Sequence, residues 1–167
     1  KDQATLIRGF AKALPQLPGN SLLLIMGSGP LELALKNLAA ELGVVDKVRF
    51  AGQVPNGRRY FRAFDVFALT SDYEPFGMVL LEAMAAGLPI ICSDCGGGAE
   101  VVSDVGLLVP LGNVERLAST LITVAQKNVI VTECIQKSLY QRFSDEAARG
   151  RFFELAFVNR LLPKERT

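Results

Sequence analysis

Apolar residues at positions 4, 7, 11 and 14, with 6, 10 and 13 beside them, fall at helical spacing and predict a helix over 3–14. Pro15, Pro18 and Gly19 end it. "SLLLIM" (21–26) is a continuous apolar run, the pattern of a strand buried on both faces. "GSGP" turns the chain into a helix over 31–41, closed by Gly43. "KVRFAG" (47–52) reads as the next strand, followed by a short helix near 57–63 and the strand "DVFALT" (65–70). A helix over 76–86 and the strand "LPIICS" (88–93) come next, then a loop entering a short helix at "DCGGGAEVV", and the strand "GLLVP" (106–110). Asn113 is placed to cap a helix over 114–126, and Ser144 one over 145–161, with a further helix near 131–140. Short apolar strands alternating with helices in this way predict a parallel α/β sheet covered by helices on both faces. Ligands of such sheets bind at the carboxyl ends of the strands. "GSGP", "SDYEPFG" and "SDCGGG" have that position.

The stretch "EPFGMVLLEAMAAG" (74–87) places one carboxylate, Glu82, inside an otherwise apolar helix. An ionised carboxylate is rarely buried without a partner. Glu82 therefore reads either as the partner of a Lys or Arg or as the lining of a ligand pocket. Pro75 costs little near a helix start, and Gly77 allows backbone to approach a ligand closely. The free N–H groups of Gly77, Met78 and Val79 would form an anion site backed by the helix dipole. Glu82 would lie about 7 Å further along the axis. A phosphate at the tip with a polyol on each side would meet both Glu74 and Glu82.

Other candidates are weaker. "IMGSGP" resembles a glycine-rich phosphate turn, but Glu32 stands where G-x-G-x-x-G needs its last Gly, and a plain strand-to-helix turn is expected. "CSDC" (92–95) is a C-x-x-C, but a redox motif would open a helix and here Gly96, Gly97 and Gly98 follow, so structural thiols are expected. "GRRYFR" (57–62) interleaves basic and aromatic residues. With a net charge of +1, nothing else points to nucleic acid.

Composition narrows the chemistry. The 167 residues are 50% hydrophobic and 21% charged, a globular balance, with one domain expected over 1–167. There is no His, which removes the Ser-His-Asp and Cys-His nucleophile systems and the commonest metal ligand, so no metal site is expected. The three cysteines, Cys92, Cys95 and Cys134, are an odd count that suits reduced thiols and a cytoplasmic setting. The start at "KDQATLIRGF", without an initiator Met, is expected of a piece of a longer protein.

The order of the pieces carries a resemblance. "FAGQV", then "YFRAFDVFALTSDYEPFGMVLLEAMAAGLPIICSDCGGGAEVV", then "GLLVPLGNVERLASTL" resemble the C-terminal, nucleotide-sugar-binding domain of a retaining GT-B glycosyltransferase of family 4 (glycosyl transferases group 1). The likeness covers nearly the whole chain and is strongest at the E-x7-E motif, Glu74 to Glu82, in its "EAMAAGLPI" context. It implies a Rossmann-like doubly wound parallel sheet. It also implies that Glu74 contacts the donor sugar as the catalytic-site carboxylate, that Glu82 binds ribose hydroxyls, and that the backbone amides of Phe76, Gly77, Met78 and Val79 hold sugar and diphosphate. Val54 matches a position touching the base, with Arg59 beside it. Lys1 matches the lysine of an R-L-x-x-x-K segment that neutralises the diphosphate, whose Arg would lie upstream. Two departures stand out: Ala99 replaces a Pro of the usual G-G-x-P-E loop, and Asn113 replaces a common Asp.

The implied reaction is transfer of a hexose from a UDP-, GDP- or ADP-sugar to an acceptor hydroxyl with retention, by front-face attack and without a cofactor. The resemblance places it in bacterial polysaccharide, lipopolysaccharide or glycolipid synthesis. The partners are the nucleotide-sugar donor, a sugar or lipid-linked acceptor, and an N-terminal domain that completes the cleft. Without that domain the chain is expected to be inactive. Any attachment to the inner face of a membrane belongs to the parent protein. Two alternatives share the donor pocket: a GT-B sugar-nucleotide epimerase and a non-enzymatic nucleotide-binding regulatory module. Finally, Phe152, Phe153, Leu155, Phe157, Val158, Leu161 and Leu162 give the last helix more apolar surface than one face needs, and part of it is expected to pack on another domain or chain.

Overall fold

The structure, a computed structural model, describes residues 1–127 and 132–154. Asp2 caps α1 (Gln3–Ala13) by accepting from the Thr5 N–H at 3.0 Å. The chain continues through β1 (Leu23–Met26), α2 (Glu32–Glu41) and β2 (Val48–Gly52). A 3-10 helix (Gly57–Ala63) leads to β3 (Phe67–Leu69), α3 (Met78–Ala86), β4 (Ile90–Ser93), α4 (Gly96–Val101) and β5 (Leu107–Val109). Helices α5 (Val114–Lys127), α6 (Thr132–Phe143) and α7 (Asp145–Glu154) follow. The expected caps are in place: Asn113 accepts from the Arg116 N–H at 2.9 Å and Ser144 from the Ala147 N–H at 3.1 Å. No helix among the described residues is long and apolar enough to cross a membrane.

Every strand ladder is parallel, in register Leu23↔Val48, Phe67↔Ile90 and Ile91↔Leu107 at the leading residues. Strand β4 shows the doubly wound arrangement directly, because its period of two sends alternate side chains to opposite layers. Ile90 and Cys92 pack with Leu80 and Met84 of α3, Val101 and Ile135, whereas Ile91 packs with Leu6 of α1 and Leu117 of α5. A third cluster joins Ile7 and Phe10 of α1 to Leu35, Leu38 and Val48. Gly9 is where α1 and α5 cross, since a Cβ there would stand 2.7 Å from Leu117 Cδ2.

The single sheet expected from the alternation is instead two ladders, β2–β1 and β3–β4–β5. Among the described residues β1 pairs only with β2, and β3 only with β4. Residues 22–26 and 61–71 line one cavity of about 1590 Å3, so these two unpaired strands face a shared void. The apolar run therefore stays partly open, with Leu22 58% and Leu24 42% exposed. The hydroxyl of Ser71, also on this cavity, is buried without a hydrogen-bond partner.

Two further expectations need correcting. Helix α3 begins at Met78 rather than at 76, because Gly77 adopts φ 84°, a left-handed conformation outside the helical region. The glycines after "CSDC" do open a helix: Cys95 is at the N-cap of α4 and Gly96, Gly97 and Gly98 form its first turn. They can because the turn lies so close to the loop after β3 that a Cβ on Gly97 would fall 2.0 Å from the Pro75 carbonyl oxygen. The thiols are unpaired, with Cys92 buried and Cys134 exposed. The apolar side chains expected to seek another surface, from Phe152 to Leu162, lie outside the described residues.

Candidate donor site

Thr70 and Ser71 follow β3 in the interior, and the chain then turns outward through Asp72 and Tyr73. Two braces hold the return. The Thr70 hydroxyl donates to the Asp2 carbonyl at 2.8 Å, and the Gly97 N–H donates to the Glu74 carbonyl at 2.9 Å. Ser93, at the end of β4, donates its hydroxyl to the Ser71 carbonyl at 2.5 Å, and the Cys95 thiol lies 3.1 Å from the same oxygen.

At the tip of α3 the first N–H to find an acceptor in the turn is that of Leu80, which donates to the Gly77 carbonyl at 2.8 Å. The N–H groups of Gly77, Met78 and Val79 precede that bond and are the donors a helix N-terminus offers to an anion. Gly77 itself is buried, while Phe76 is 42% and Met78 66% exposed, so the tip opens to solvent. The Lys1 ammonium lies 3.8 Å from a Glu74 carboxylate oxygen, bringing a cation to the same edge.

Glu82 stands one turn further along α3, half-buried between the buried residues Leu80, Ala83 and Met84. Among the described residues no side-chain hydrogen bond or ion pair involves its carboxylate. A Lys or Arg partner, the alternative left open above, is thus not what holds it. It faces the cavity between the two ladders, together with Lys1, Val79, Arg58 and Arg62.

The remaining candidates are placed less closely. Val54 is half-buried and Arg59 exposed, and neither lines that cavity. Arg58 and Arg62 do, one residue before and three after Arg59 in the 3-10 helix. Sequence spacing alone could not choose among three arginines on a helix whose pitch was unknown. Residues 27–30, the "GSGP" turn, are also off the cavity.

The arrangement offers unbonded amides at a helix tip, a cation at its edge, and a free carboxylate one turn inward. Such a set suits a diphosphate with a hydroxyl-bearing group on the inner side. The family model for glycosyl transferases group 1 matches residues 1–149. The lipopolysaccharide core biosynthesis glycosyltransferase LpsE of Rhizobium meliloti is 34% identical over 149 residues, covering 86% of this chain and 44% of that protein. The N-acetyl-alpha-D-glucosaminyl L-malate synthase of Bacillus anthracis is 32% identical over 145 residues, covering 84% of this chain and 38% of that protein. Among solved structures, Anabaena Alr3699/HepE in complex with UDP and glucose superposes with a TM-score of 0.77 at 26% identity, over 91% of this chain and 45% of that one. The chain thus spans less than half the length of these relatives.

Proposed function

Because the chain belongs to the group 1 glycosyl transferases, we propose that it is the donor-binding half of an enzyme that moves a sugar from a nucleoside diphosphate to an acceptor hydroxyl with retention of configuration. The observation that carries this reading is Glu82: a half-buried carboxylate with no partner among the described residues, beside a cavity and one turn from unbonded helix-tip amides. An uncompensated carboxylate in that setting is stabilised once ligand hydroxyls donate to it.

In this reading the diphosphate sits on the N–H groups of Gly77, Met78 and Val79, with Phe76 beside them, and the ribose hydroxyls donate to Glu82. Arg58, Arg62 or both approach the nucleotide in place of Arg59. The tip amides and Lys1 stabilise the charge that develops on the departing diphosphate, the electrostatic role of an oxyanion site. Glu74, held at its carbonyl by Gly97, orients the donor sugar. The UDP complex of Anabaena HepE makes UDP the first nucleotide to try. The similarity to LpsE makes a glycan of the cell envelope the first acceptor class to try with the full-length parent.

Calorimetric titration with UDP, GDP and ADP tests the pocket. One nucleotide should bind, and Glu82→Gln should weaken it at least tenfold while the domain stays folded. Binding that Glu82→Gln leaves unchanged, or no binding by either this chain or the full-length parent, would overturn the proposal. The anomeric configuration of the parent's product, read by proton NMR, tests retention.

A further inference from the structure

The loop bearing Phe76 is held from a direction the donor-site reading does not use. The Phe76 ring meets Phe143, the last residue of α6, edge to face, with centroids 6.1 Å apart and planes at 81°. That geometry suits the quadrupoles of two aromatic rings. Phe143 is in turn covered by the Arg142 guanidinium, whose carbon lies 5.0 Å from the ring centroid. Arg142 is itself fixed at three points on the end of α4 and the residues after it. It donates to the carbonyls of Val101 at 2.9 Å and Glu100 at 2.7 Å, and it pairs with Asp104 at 2.5 Å. Asp104 also accepts from the Ser138 hydroxyl of α6 at 2.5 Å.

Helix α4 is the element whose first turn grips the other side of the same loop, through the Gly97 N–H on the Glu74 carbonyl. Residues 74–76 are therefore clamped between Gly97 and Phe143, and the two jaws are tied to each other by Arg142. The free amides of the tip begin at the next residue, Gly77.

We propose that Phe143 is a positioning residue for the α3 tip: by seating the Phe76 ring it fixes the direction of the Gly77, Met78 and Val79 N–H groups. The consequence for donor binding rests on the reading of that tip as the diphosphate site. Phe76 would otherwise be an exposed ring on a loop entering a glycine, free to swing. The Arg142 clamp makes the seat rigid rather than merely apolar.

The test is amide hydrogen exchange on the wild-type chain, Phe143→Ala and Phe76→Ala, with UDP titration alongside. The second variant removes the same ring contact from the exposed side, so a folding defect in the first does not decide the matter. Exchange at Leu80 and Gly97, whose N–H groups donate to the Gly77 and Glu74 carbonyls of the clamped loop, should quicken at least tenfold in both variants, while amides of β4 keep their wild-type rates. UDP affinity should fall several-fold in parallel. Wild-type exchange at Leu80 and Gly97 in a folded variant would overturn the assignment, as would loss of protection spread evenly over β4. Faster exchange at the tip with no UDP binding by the wild type would instead keep the positioning role and count against the donor site.

Discussion

The backbone N–H of Gly97 donates to the Glu74 carbonyl at 2.9 Å, and a Cβ on Gly97 would stand 2.0 Å from the neighbouring Pro75 carbonyl oxygen. The loops that end β3 and β4 are thus in backbone-to-backbone contact, with no room between them for a side chain. Gly97→Ala cannot be absorbed by a rotamer change, because the obstacle is main chain. We expect a loss of about 1–3 kcal/mol of stability from the overpacking. Nucleotide affinity should fall more than tenfold as Glu74 shifts. Chemical denaturation and calorimetry on the same variant check the two effects separately.

Glu82 makes the opposite expectation for stability. With no side-chain hydrogen bond or ion pair to lose among the described residues, Glu82→Leu should leave the unfolding free energy within about 0.5 kcal/mol of wild type, or raise it. The same variant should lose nucleotide binding. A marked loss of stability would mean that Glu82 holds the fold together and is not kept for a ligand.

Cys92 is buried, and that burial, with the nearby Cys95 and Glu74 adding to it, pushes its thiol up to about 11. The folded state thus resists ionisation that the unfolded chain undergoes near the ordinary value of 9.0. The resulting stability is fully present below about pH 9 and is lost as pH rises through about 11. Cys92→Ala should flatten this alkaline decline in a thermal melt series. At pH 8, iodoacetamide should label exposed Cys134 quickly and leave Cys92 unmodified until the domain unfolds.

Gly9 lets α1 lie directly on α5, with Leu117 Cδ2 2.7 Å and Cγ 2.8 Å from where a Cβ would be. Gly9→Ala gains roughly 1 kcal/mol in helix propensity but must push apart a fully buried contact at a cost of about 1–3 kcal/mol. A net loss of stability is expected, and Leu117→Val in the same chain should recover part of it.

Much of this was legible in the chain because it is local. The Asn113 and Ser144 caps, the apolar β4 and the Gly43 helix stop each depend on a few consecutive residues. The Glu74 and Glu82 pair is local too, and one helical turn decides which way Glu82 faces. What escaped depends on distant segments. The seat of Phe76 on Phe143, the clamp of Arg142 on Val101 and the first turn of α4 against Pro75 join parts of the chain that no spacing rule connects. Glycine told of a loop at 96–98, although its real role there is to make room inside a helix. Arg59 stands out only by its place beside Val54 in the family resemblance, whereas Arg58 and Arg62, the same residue type, line the cavity because of an orientation that the sequence does not display.

The interval between β1 and β3 has a consequence for how the molecule comes apart. Among the described residues no strand ladder crosses it, so the ladder hydrogen bonds fall into two sets, each with its own core, Ile7, Phe10, Leu35 and Val48 on one side and Leu80, Met84, Ile90 and Val102 on the other, tied at the Asp2 N–H, which donates to the Thr70 carbonyl at 3.3 Å. Leu6, Ile91 and Leu117 join them through side chains. Such a chain behaves as two foldons sharing a seam, and the β2–β1 unit, with its more exposed strand, opens at the lower free energy. Native-state exchange in low denaturant should show Leu23–Met26 losing protection ahead of Ile90–Ser93. The half of the protein that carries Glu74 and Glu82 keeps its cooperativity after the other half has let go.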